Sequence, residues 1–350
     1  MKEININGKK IGSNYPIFLI AEVGVNHNGK LSLAKKLIDK AFVAKVDAVK
    51  FQTFITEDLL LKTTPKAEYQ KSLSNNNESS FKMIKKYEFS LDQFNILKNY
   101  CEQKGLTFLS TPFDKKSVEW LEQLKIPAYK VSSGDMNNFP LLRLICSKKK
   151  PILLSTGMAT LDEVKTSVEF IKSNKVKDII LFQCTSNYPA PYEEINLNVI
   201  DTYRKNFPNL LFGFSDHSLG AECSIGAVVK GVKIIEKHFT LDKQLDGPDH
   251  KASMNPEELN LWVNSIRKLE KALGSSDKFP SEAEKEILKI ARKSIVSTRF
   301  LKKGNILKSE DISIKRPAYG IPPIEYEKVI GKKVKKDILE DSIIYWEDLE

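Results

Sequence analysis

Four histidines are the only ones in this chain of 350 residues, and each lies in a short polar motif at the end of an apolar run. They are His27, His217, His238 and His250. Imidazole is a common metal ligand and transfers protons readily near neutral pH. Histidines confined to such positions predict a metal or proton-transfer site at one face of a parallel sheet. The alternative is that each histidine only hydrogen-bonds a neighbouring loop.

Two lysines lie inside other apolar runs. Lys50 and Lys130 are buried if those runs are strands, and a buried ammonium group needs an anionic partner. Hydroxyl groups expected at the same opening belong to Thr111, Ser133, Ser155 and Ser215. Together these groups predict a cradle for phosphate and carboxylate. In the alternative arrangement, each lysine reaches the rim or pairs with Glu22 or Asp135.

Two of the histidines follow runs that would be adjacent strands. The earlier run, Leu211–Ser215, is followed by Asp216 and His217, and the later run ends at Lys237 and is followed by His238. The two imidazoles can therefore converge on one divalent ion. With water and substrate oxygens they suit manganese, zinc or iron and leave positions open for catalysis. Spacing alone does not require the two rings to face each other.

Eight short apolar runs alternate with amphipathic helical patterns as far as about residue 275. They are Ile17–Val23, Ala48–Thr53, Thr107–Ser110, Ala128–Ser132, Ile152–Ser155, Ile179–Gln183, Leu211–Ser215 and Val232–Lys237. Each is apolar enough to be a strand buried on both faces. Ser90 and Thr160 begin capping boxes at the starts of intervening helices, and Asn255 is a capping residue followed by a first-turn proline. The pattern predicts a (β/α)8 TIM barrel with its functional side chains at the carboxyl ends of the strands.

Further segments extend this organisation. Residues 4–11, with Asn7-Gly8 at their centre, predict a hairpin that covers the barrel floor. We predict a catalytic domain over residues 1–275, a linker over 276–291 and a small β-rich domain over 292–350. The long polar stretch over residues 57–88 is either a lid over the site or disordered.

Composition and charge argue against other classes of protein. The net charge is +10, but only six of the 55 basic residues are arginine, which argues against a nucleic-acid partner. No run of 18 apolar residues is present, and the N-terminus lacks the apolar core of a signal peptide. The four cysteines show no close pairing, so we expect reduced thiols in a cytoplasmic protein without membrane contact.

A set of motifs at the strand ends occurs in order along nearly the whole chain. The motifs are Glu22–Gly29, Val49–Thr53, Ser110–Asp114, Lys130–Asp135, Leu154–Met158, Cys184–Pro189, Gly213–His217, Glu236–Asp242 and Gly247–Asp249. As a set they resemble the sialic acid synthase family. The small domain, with Lys315-Arg-Pro317, resembles the antifreeze-like (SAF) domain at the C-terminus of that family.

The resemblance implies condensation of phosphoenolpyruvate with an open-chain N-acetylated amino sugar and water, which gives a nonulosonic acid and phosphate. The residues implied to hold phosphoenolpyruvate are Lys50, Thr111, Lys130, Ser133, Ser155, Ser186 and Ser215. Those implied to contact the amino sugar are Gln52, Tyr188, Asp249 and Arg316.

Catalytic roles also follow from the resemblance. His217 and His238 would bind a divalent metal, with manganese preferred. Glu22 would orient one of the two lysines, and Asp135 would handle protons near the attacking water. Lys50 and Lys130 would belong to the same catalytic set. The two remaining histidines are expected to shape the sugar pocket.

The resemblance also implies a partner subunit and a substrate. Arg316 would reach the N-acetyl group of the sugar bound in the partner subunit, which implies a domain-swapped homodimer. We predict N-acetylmannosamine as the sugar and N-acetylneuraminate as the product. Residues 66–70 and 78–79 resemble those of members that take neutral sugars. Legionaminate, pseudaminate or N-acetylneuraminate-9-phosphate synthases are alternatives with the same chemistry. A non-catalytic carbohydrate- or ice-binding protein is the alternative of a different class.

Overall fold

Eight parallel strands form a nearly closed barrel in residues 1–274, which is one of two compact units. The computed structural model describes residues 2–66 and 79–350. A hairpin of β1 (Ile4–Ile6) and β2 (Lys9–Ile11) precedes the barrel strands β3 (Phe18–Gly24), β4 (Ala48–Thr53), β5 (Thr107–Pro112), β6 (Tyr129–Val131), β7 (Ile152–Ser155), β8 (Ile179–Cys184), β9 (Leu211–Asp216) and β10 (Ile234–His238). Hydrogen-bonded neighbours follow the order β5-β4-β3-β10-β9-β8-β7-β6. The predicted TIM barrel and N-terminal hairpin are therefore confirmed.

Helices connect these strands. They are α1 (Leu31–Val43), α2 (Thr56–Leu59), α3 (Ser80–Lys85), α4 (Leu91–Gln103), α5 (Lys115–Gln123), α6 (Phe139–Ser147), α7 (Leu161–Ser173), α8 (Val199–Asn206), α9 (Glu222–Val229) and α10 (Pro256–Leu273). The predicted capping boxes form at Ser90 and Thr160, and the predicted cap at Asn255 also forms a capping box. Each cap binds a backbone amide that the helix leaves free, which fixes where the helix begins after its loop. The predicted lid and the stretch over residues 66–70 fall partly on residues 67–78, which lie outside the described part of the chain.

The barrel interior changes from apolar to polar along the strands. The floor is a cluster made by Ile4, Ile6, Ile11, Phe18, Ile20, Ala48, Leu109, Ala128, Leu153, Ile180, Phe182, Leu211 and Ile234. Because side chains alternate between the faces of a strand, the next inward position lies two residues later. Those positions include Glu22, Lys50, Thr111, Lys130 and Ser155. The polar half of the interior therefore faces the carboxyl ends of the strands.

The second unit, residues 275–350, has its own small core. It contains α11 (Glu282–Ala291), the antiparallel pair β11 (Ser294–Ser297) and β12 (Ile312–Lys315), and α12 (Tyr326–Val329). Its buried apolar residues include Ile295, Leu301 and Ile344. The predicted small β-rich fold is confirmed, and α11 lies in the segment predicted as a linker.

Two further expectations concern membranes and thiols. No helix in the described ranges has both the length and the apolar character needed to cross a bilayer. The cysteines are buried and free, among them Cys101, Cys146 and Cys184. Burial raises the pKa of the Cys101 thiol, so this group stays protonated near neutral pH.

Candidate active site

A cavity of about 560 Å³ opens at the carboxyl ends of the barrel strands. It is lined by every site residue predicted within the first unit, namely Glu22, Lys50, Gln52, Thr111, Lys130, Ser133, Asp135, Ser155, Ser186, Tyr188, Ser215, His217, His238 and Asp249. The remaining predicted residue, Arg316, belongs to the second unit. A larger groove of about 1000 Å³ is lined by α5 and α6 residues such as Lys116 and Arg143, and its described lining includes none of the predicted set. The buried charges place the candidate site in the smaller cavity.

Four charged side chains, Glu22, Lys50, Lys130 and Glu236, form a charge network in the polar half of the barrel. Lys50 Nζ lies 2.7 Å from Glu22 Oε2 and 3.5 Å from Glu236 Oε2. Lys130 Nζ donates to Glu236 Oε1 at 2.8 Å. All four side chains are at most 5% exposed. Charges buried this deeply are costly unless they are paired, so each lysine depends on its carboxylates.

Burial and pairing act in different directions on the pKa values of this network. Burial would raise the pKa of Glu236, but Lys130 and Lys50 hold it well below its usual range. At Glu22 the effect of burial exceeds that of Lys50, so the pKa is raised. Burial would lower the pKa of Lys50, but Glu22 and Glu236 raise it. Glu236 is therefore ionised near neutral pH, and Glu22 is the weaker acid of the two.

Glu236 is a functional residue that the prediction missed. The prediction named Lys237 and His238 at the end of the last strand. In the structure Glu236 and His238 face the cavity, whereas Lys237 pairs with Asp216 on the outer face of the wall. Strand alternation is the signal that separates them, because Ile234 already marks the inward face at the barrel floor.

His217 and His238, here called the histidine pair, have ring centroids 5.6 Å apart. His217 Nδ1 donates to the Thr185 carbonyl at 2.6 Å, which leaves Nε2 with a free lone pair. His238 Nδ1 is buried without a hydrogen-bond partner in the described residues. Burial lowers the pKa of His217 to about 4 and that of His238 well below its usual value. Both rings are therefore neutral near neutral pH.

Neutral imidazole with an unused ring nitrogen is the form that binds a divalent cation. The Tyr188 ring packs against both members of the pair, with centroids 4.3 Å from His217 and 5.5 Å from His238. The described residues contain no group of three or more histidines, cysteines or carboxylates arranged as a full metal site. The histidine pair thus fits a cation that takes its other ligands from water or substrate.

The other two histidines, expected to shape the sugar pocket, contact side chains of the loops at the barrel mouth. His27 is buried and stacked on Phe89, with ring centroids 4.0 Å apart. His250 is bound through Nδ1 to Thr240 Oγ1 at 2.6 Å and through Nε2 to Asn28 Oδ1 at 3.0 Å. Neither is among the described residues that line the cavity, so both hold loops together.

Hydroxyl groups pack around the backbone of Gly157. Ser133 Oγ accepts the Gly157 N–H at 2.9 Å and lies 3.1 Å from Cys184 Sγ. A Cβ atom at Gly157 would lie 2.2 Å from Ser186 Oγ, so any larger residue here must displace that hydroxyl. Ser155 Oγ is buried and unpaired within the described part of the chain. These groups can donate to a bound oxyanion.

Two carboxylates complete the wall of the cavity. Asp135 Oδ2 accepts the Ser132 hydroxyl at 2.7 Å, and Asp135 Oδ1 accepts Asn138 Nδ2 at 3.1 Å. Asp249 is buried, and no cation pairs with its carboxylate among the described residues. Burial raises the pKa of Asp249 to about 6. One carboxylate is thus oriented by donors, whereas the other lacks a counter-charge.

Comparison with known proteins agrees with this geometry. Residues 37–278 match the NeuB family, and residues 292–350 match the SAF domain. The N,N'-diacetyllegionaminic acid synthase of Legionella pneumophila is 42% identical over 350 residues, covering 99% of this chain and 98% of that protein. The human N-acetylneuraminate-9-phosphate synthase is 37% identical over 340 residues, covering 96% of this chain and 94% of that protein. The crystal structure of N-acetylneuraminic acid synthetase from Leptospira borgpetersenii gives a TM-score of 0.72 at 34% identity, covering 82% of this chain and 95% of that one. This chain therefore belongs to the NeuB family of nonulosonic acid synthases and carries a C-terminal SAF domain.

Proposed function

We propose that this enzyme condenses phosphoenolpyruvate with the open-chain form of an N-acetylated amino sugar and water, giving a nonulosonic acid and phosphate. The observation that carries the proposal is that one cavity holds two buried lysines and a neutral histidine pair. Lysines and hydroxyls suit the phosphate and carboxylate of phosphoenolpyruvate. The histidine pair suits a cation that activates a carbonyl group.

Phosphoenolpyruvate would bind over the charge network. Lys130 pairs with one carboxylate in the described residues, so its other ammonium hydrogens are available to an anion. Lys50 donates to Thr111 Oγ1 at 3.1 Å and so orients that hydroxyl. Ser215 donates to Glu236 at 2.5 Å and would have to rotate to donate to substrate. The residues assigned to this substrate are Lys50, Thr111, Lys130, Ser133, Ser155, Ser186 and Ser215.

Gly157→Ala is expected to raise the Kd for phosphoenolpyruvate by about 10-fold or more, because the added methyl group must displace two serines. Its Cβ would lie 2.2 Å from Ser186 Oγ and 2.9 Å from Ser133 Oγ. Gly134→Ala is the matched control, since a Cβ there would meet only Ser132 Oγ at 3.9 Å. Calorimetric titration of both variants measures the effect, and equal Kd values would contradict the assignment.

In the proposed reaction, carbon three of phosphoenolpyruvate attacks the aldehyde carbon of the sugar and forms the new C–C bond. The aldehyde oxygen takes up a proton, and carbon two is left as a cation. Water adds to carbon two and loses a proton, and the intermediate then expels phosphate and becomes a ketone. Asp135 would accept the proton of that water through a second water, because Ser132 and Asn138 fix its carboxylate at the cavity wall.

We propose that His217 and His238 would hold a divalent cation and that this cation is manganese. When bound there, the cation would polarise the aldehyde oxygen as a Lewis acid. The contribution of the chain is to keep both imidazoles neutral and oriented. Burial keeps the imidazoles neutral, and the hydrogen bond from His217 Nδ1 to the Thr185 carbonyl fixes the tautomer of that ring.

For the sugar we propose a 2,4-diacetamido compound, as in N,N'-diacetyllegionaminic acid synthesis. The relative named for that product is 42% identical, against 37% and 34% for relatives named for neuraminic acid. The lining of the cavity also has an apolar part, made by Val25, Leu59, Ile84, Phe113, Met158 and Pro248. Apolar surface favours the methyl groups of two acetamido substituents over free hydroxyl groups.

N-acetylmannosamine is the second candidate, since the Leptospira borgpetersenii synthetase named for N-acetylneuraminic acid matches 82% of the chain. The test is to measure kcat/KM for both sugars side by side and to identify the products by mass spectrometry. We expect a preference of about 10-fold or more for the diacetamido sugar, the value of one added apolar contact. A preference for N-acetylmannosamine would reassign the substrate.

Asp249→Asn is expected to stabilise the fold at about pH 8 but not at about pH 4, while weakening sugar binding. Burial raises the pKa of Asp249 from 3.8 to about 6, so the unfolded chain ionises more readily than the native state. The penalty on folding grows as pH rises between these two values and is then constant, on the order of 3 kcal/mol. Calorimetric Tm values of variant and wild type at both pH values check this. An equal Tm difference between variant and wild type at the two pH values would contradict this expectation.

We also propose a homodimer in which Arg316 of one protomer reaches the sugar bound by its partner. Arg316 is exposed and forms no ion pair within residues 2–66 and 79–350. Mixing Arg316→Ala with Lys50→Ala subunits should restore about a quarter of the active sites after random reassortment. Phosphate release from the mixture measures this. Activity no greater than that of the separate variants would count against exchange between subunits.

A further inference from the structure

A second buried ion pair lies behind the histidine pair, on the outer face of the barrel wall. Asp216 on β9 and Lys237 on β10 are register partners in the parallel sheet. Lys237 Nζ lies 2.9 Å from Asp216 Oδ2, and both side chains are at most 2% exposed. The next residues along the chain, His217 and His238, face the cavity. This outer ion pair is thus one residue away from each member of the histidine pair.

The outer ion pair also binds the backbone that follows His217. Asp216 Oδ1 accepts the Ser218 N–H at 3.0 Å and the Ser218 hydroxyl at 2.6 Å. Asp216 Oδ2 accepts the Ser224 hydroxyl at 2.5 Å. Lys237 Nζ donates to the Ser218 carbonyl at 2.7 Å. The backbone on both sides of His217 is therefore tied to the strand that carries the other histidine.

Stability alone is a weak reason for such a pair. Desolvation of two buried charges offsets most of their attraction, and apolar side chains of similar volume often stabilise a fold equally well. A buried pair does resist displacement, because a charge that moves away is left without a partner. Metal ligands gain from support by the groups around them, and loss of a group hydrogen-bonded directly to a ligand lowers metal affinity about 10- to 100-fold. The outer ion pair acts through the backbone, one residue further from the ligands, so we expect an effect at the lower end of this range.

We propose that Asp216 and Lys237 are positioning residues that set the spacing of His217 and His238, and thereby the affinity of the histidine pair for a divalent cation. The inference rests on the proposed function, which assigns the cation to this pair. Neither positioning residue is among the described residues that line the cavity. Their replacement therefore leaves the proposed substrate contacts in place.

The double variant Asp216→Asn/Lys237→Met tests this by removing both charges at nearly constant volume. Titration of the metal-free whole chain with Mn²⁺ should give a Kd raised by about 10-fold, with an unchanged circular dichroism spectrum. The Kd for phosphoenolpyruvate without metal should stay at the wild-type value. Asp47→Asn/Arg267→Met is the matched control, because it removes an ion pair of 3.0 Å near the amino end of β4. Its Mn²⁺ affinity should be unchanged.

Each outcome separates the inference from the proposed function. Wild-type Mn²⁺ affinity in a folded double variant overturns the inference and leaves the proposed function standing. If the double variant does not fold, Ser224→Ala removes one bond to Asp216 and should weaken Mn²⁺ binding about 3-fold. Unchanged affinity in that variant also overturns the inference. If His217→Ala binds Mn²⁺ as tightly as wild type, both the metal assignment and this inference are wrong.

Discussion

Replacing Lys130 with methionine is expected to lower kcat/KM for phosphoenolpyruvate by about 10³-fold. Lys130 lines the cavity, and its ammonium group donates one bond within the charge network, to Glu236 at 2.8 Å. Loss of a buried charge-assisted contact to an anion is worth roughly 4 kcal/mol, which corresponds to that factor. Methionine keeps the volume of the lysine stem, so the loss falls on the charge. Steady-state kinetics with phosphoenolpyruvate as the varied substrate measure it.

The fold should survive this change because Glu236 keeps two partners. Its carboxylate still lies 3.5 Å from Lys50 Nζ and accepts the Ser215 hydroxyl at 2.5 Å. Lys150→Met is the matched control. Lys150 pairs with a glutamate at 2.9 Å and lies over the Tyr129 ring, but it is outside the cavity. We expect kcat/KM within about 2-fold of wild type for the control. Wild-type kinetics in Lys130→Met would remove this lysine from the substrate site.

His217→Ala is expected to weaken Mn²⁺ binding by about 100-fold or more and to reduce turnover by a similar factor, with little effect on the fold. The variant removes one of two imidazoles that the structure keeps neutral, since burial lowers the pKa of His217 to about 4. Calorimetry on metal-free protein measures the affinity. Turnover is then compared before and after chelation and after Mn²⁺ is added back.

His250→Gln is the control for this variant. Both ring nitrogens of His250 are already bound, to Thr240 and Asn28, so its loss should leave Mn²⁺ affinity unchanged. Chelation should reduce wild-type turnover to the level of His217→Ala, and Mn²⁺ should restore it in the wild type. Full activity of His217→Ala after chelation would show that the histidine pair is not the metal site.

Much of the fold could be predicted because its elements carry local signals. The capping boxes at Ser90, Thr160 and Asn255 mark helix starts, and β4 and β7 have the predicted bounds. Pairing between strands has no such local signal. Glu22 meets Lys50 because β3 and β4 place them opposite each other, and that register depends on how the whole barrel closes. From the sequence alone, the partner of Glu22 could therefore be either of the two lysines.

The charged residues of β10 show a second limit. Glu236 and Lys237 are both buried, because helices cover the outer face of the strand and the barrel covers the inner face. Burial therefore does not show which of the two side chains faces the cavity and which faces the helices. The alternation of side chains along the strand, counted from Ile234 at the barrel floor, does show it. The surroundings of His27 show a related limit, because its position in a loop after β3 does not reveal that its ring stacks on Phe89.

Phosphate release from phosphoenolpyruvate tests the central claim most directly. The enzyme is incubated with phosphoenolpyruvate alone, with the 2,4-diacetamido sugar and with N-acetylmannosamine, each before and after chelation and Mn²⁺ addition. We expect phosphate release only when an amino sugar is present, loss of release on chelation, and recovery when Mn²⁺ is added. Release of no phosphate with any amino sugar, in the presence of Mn²⁺, would contradict it.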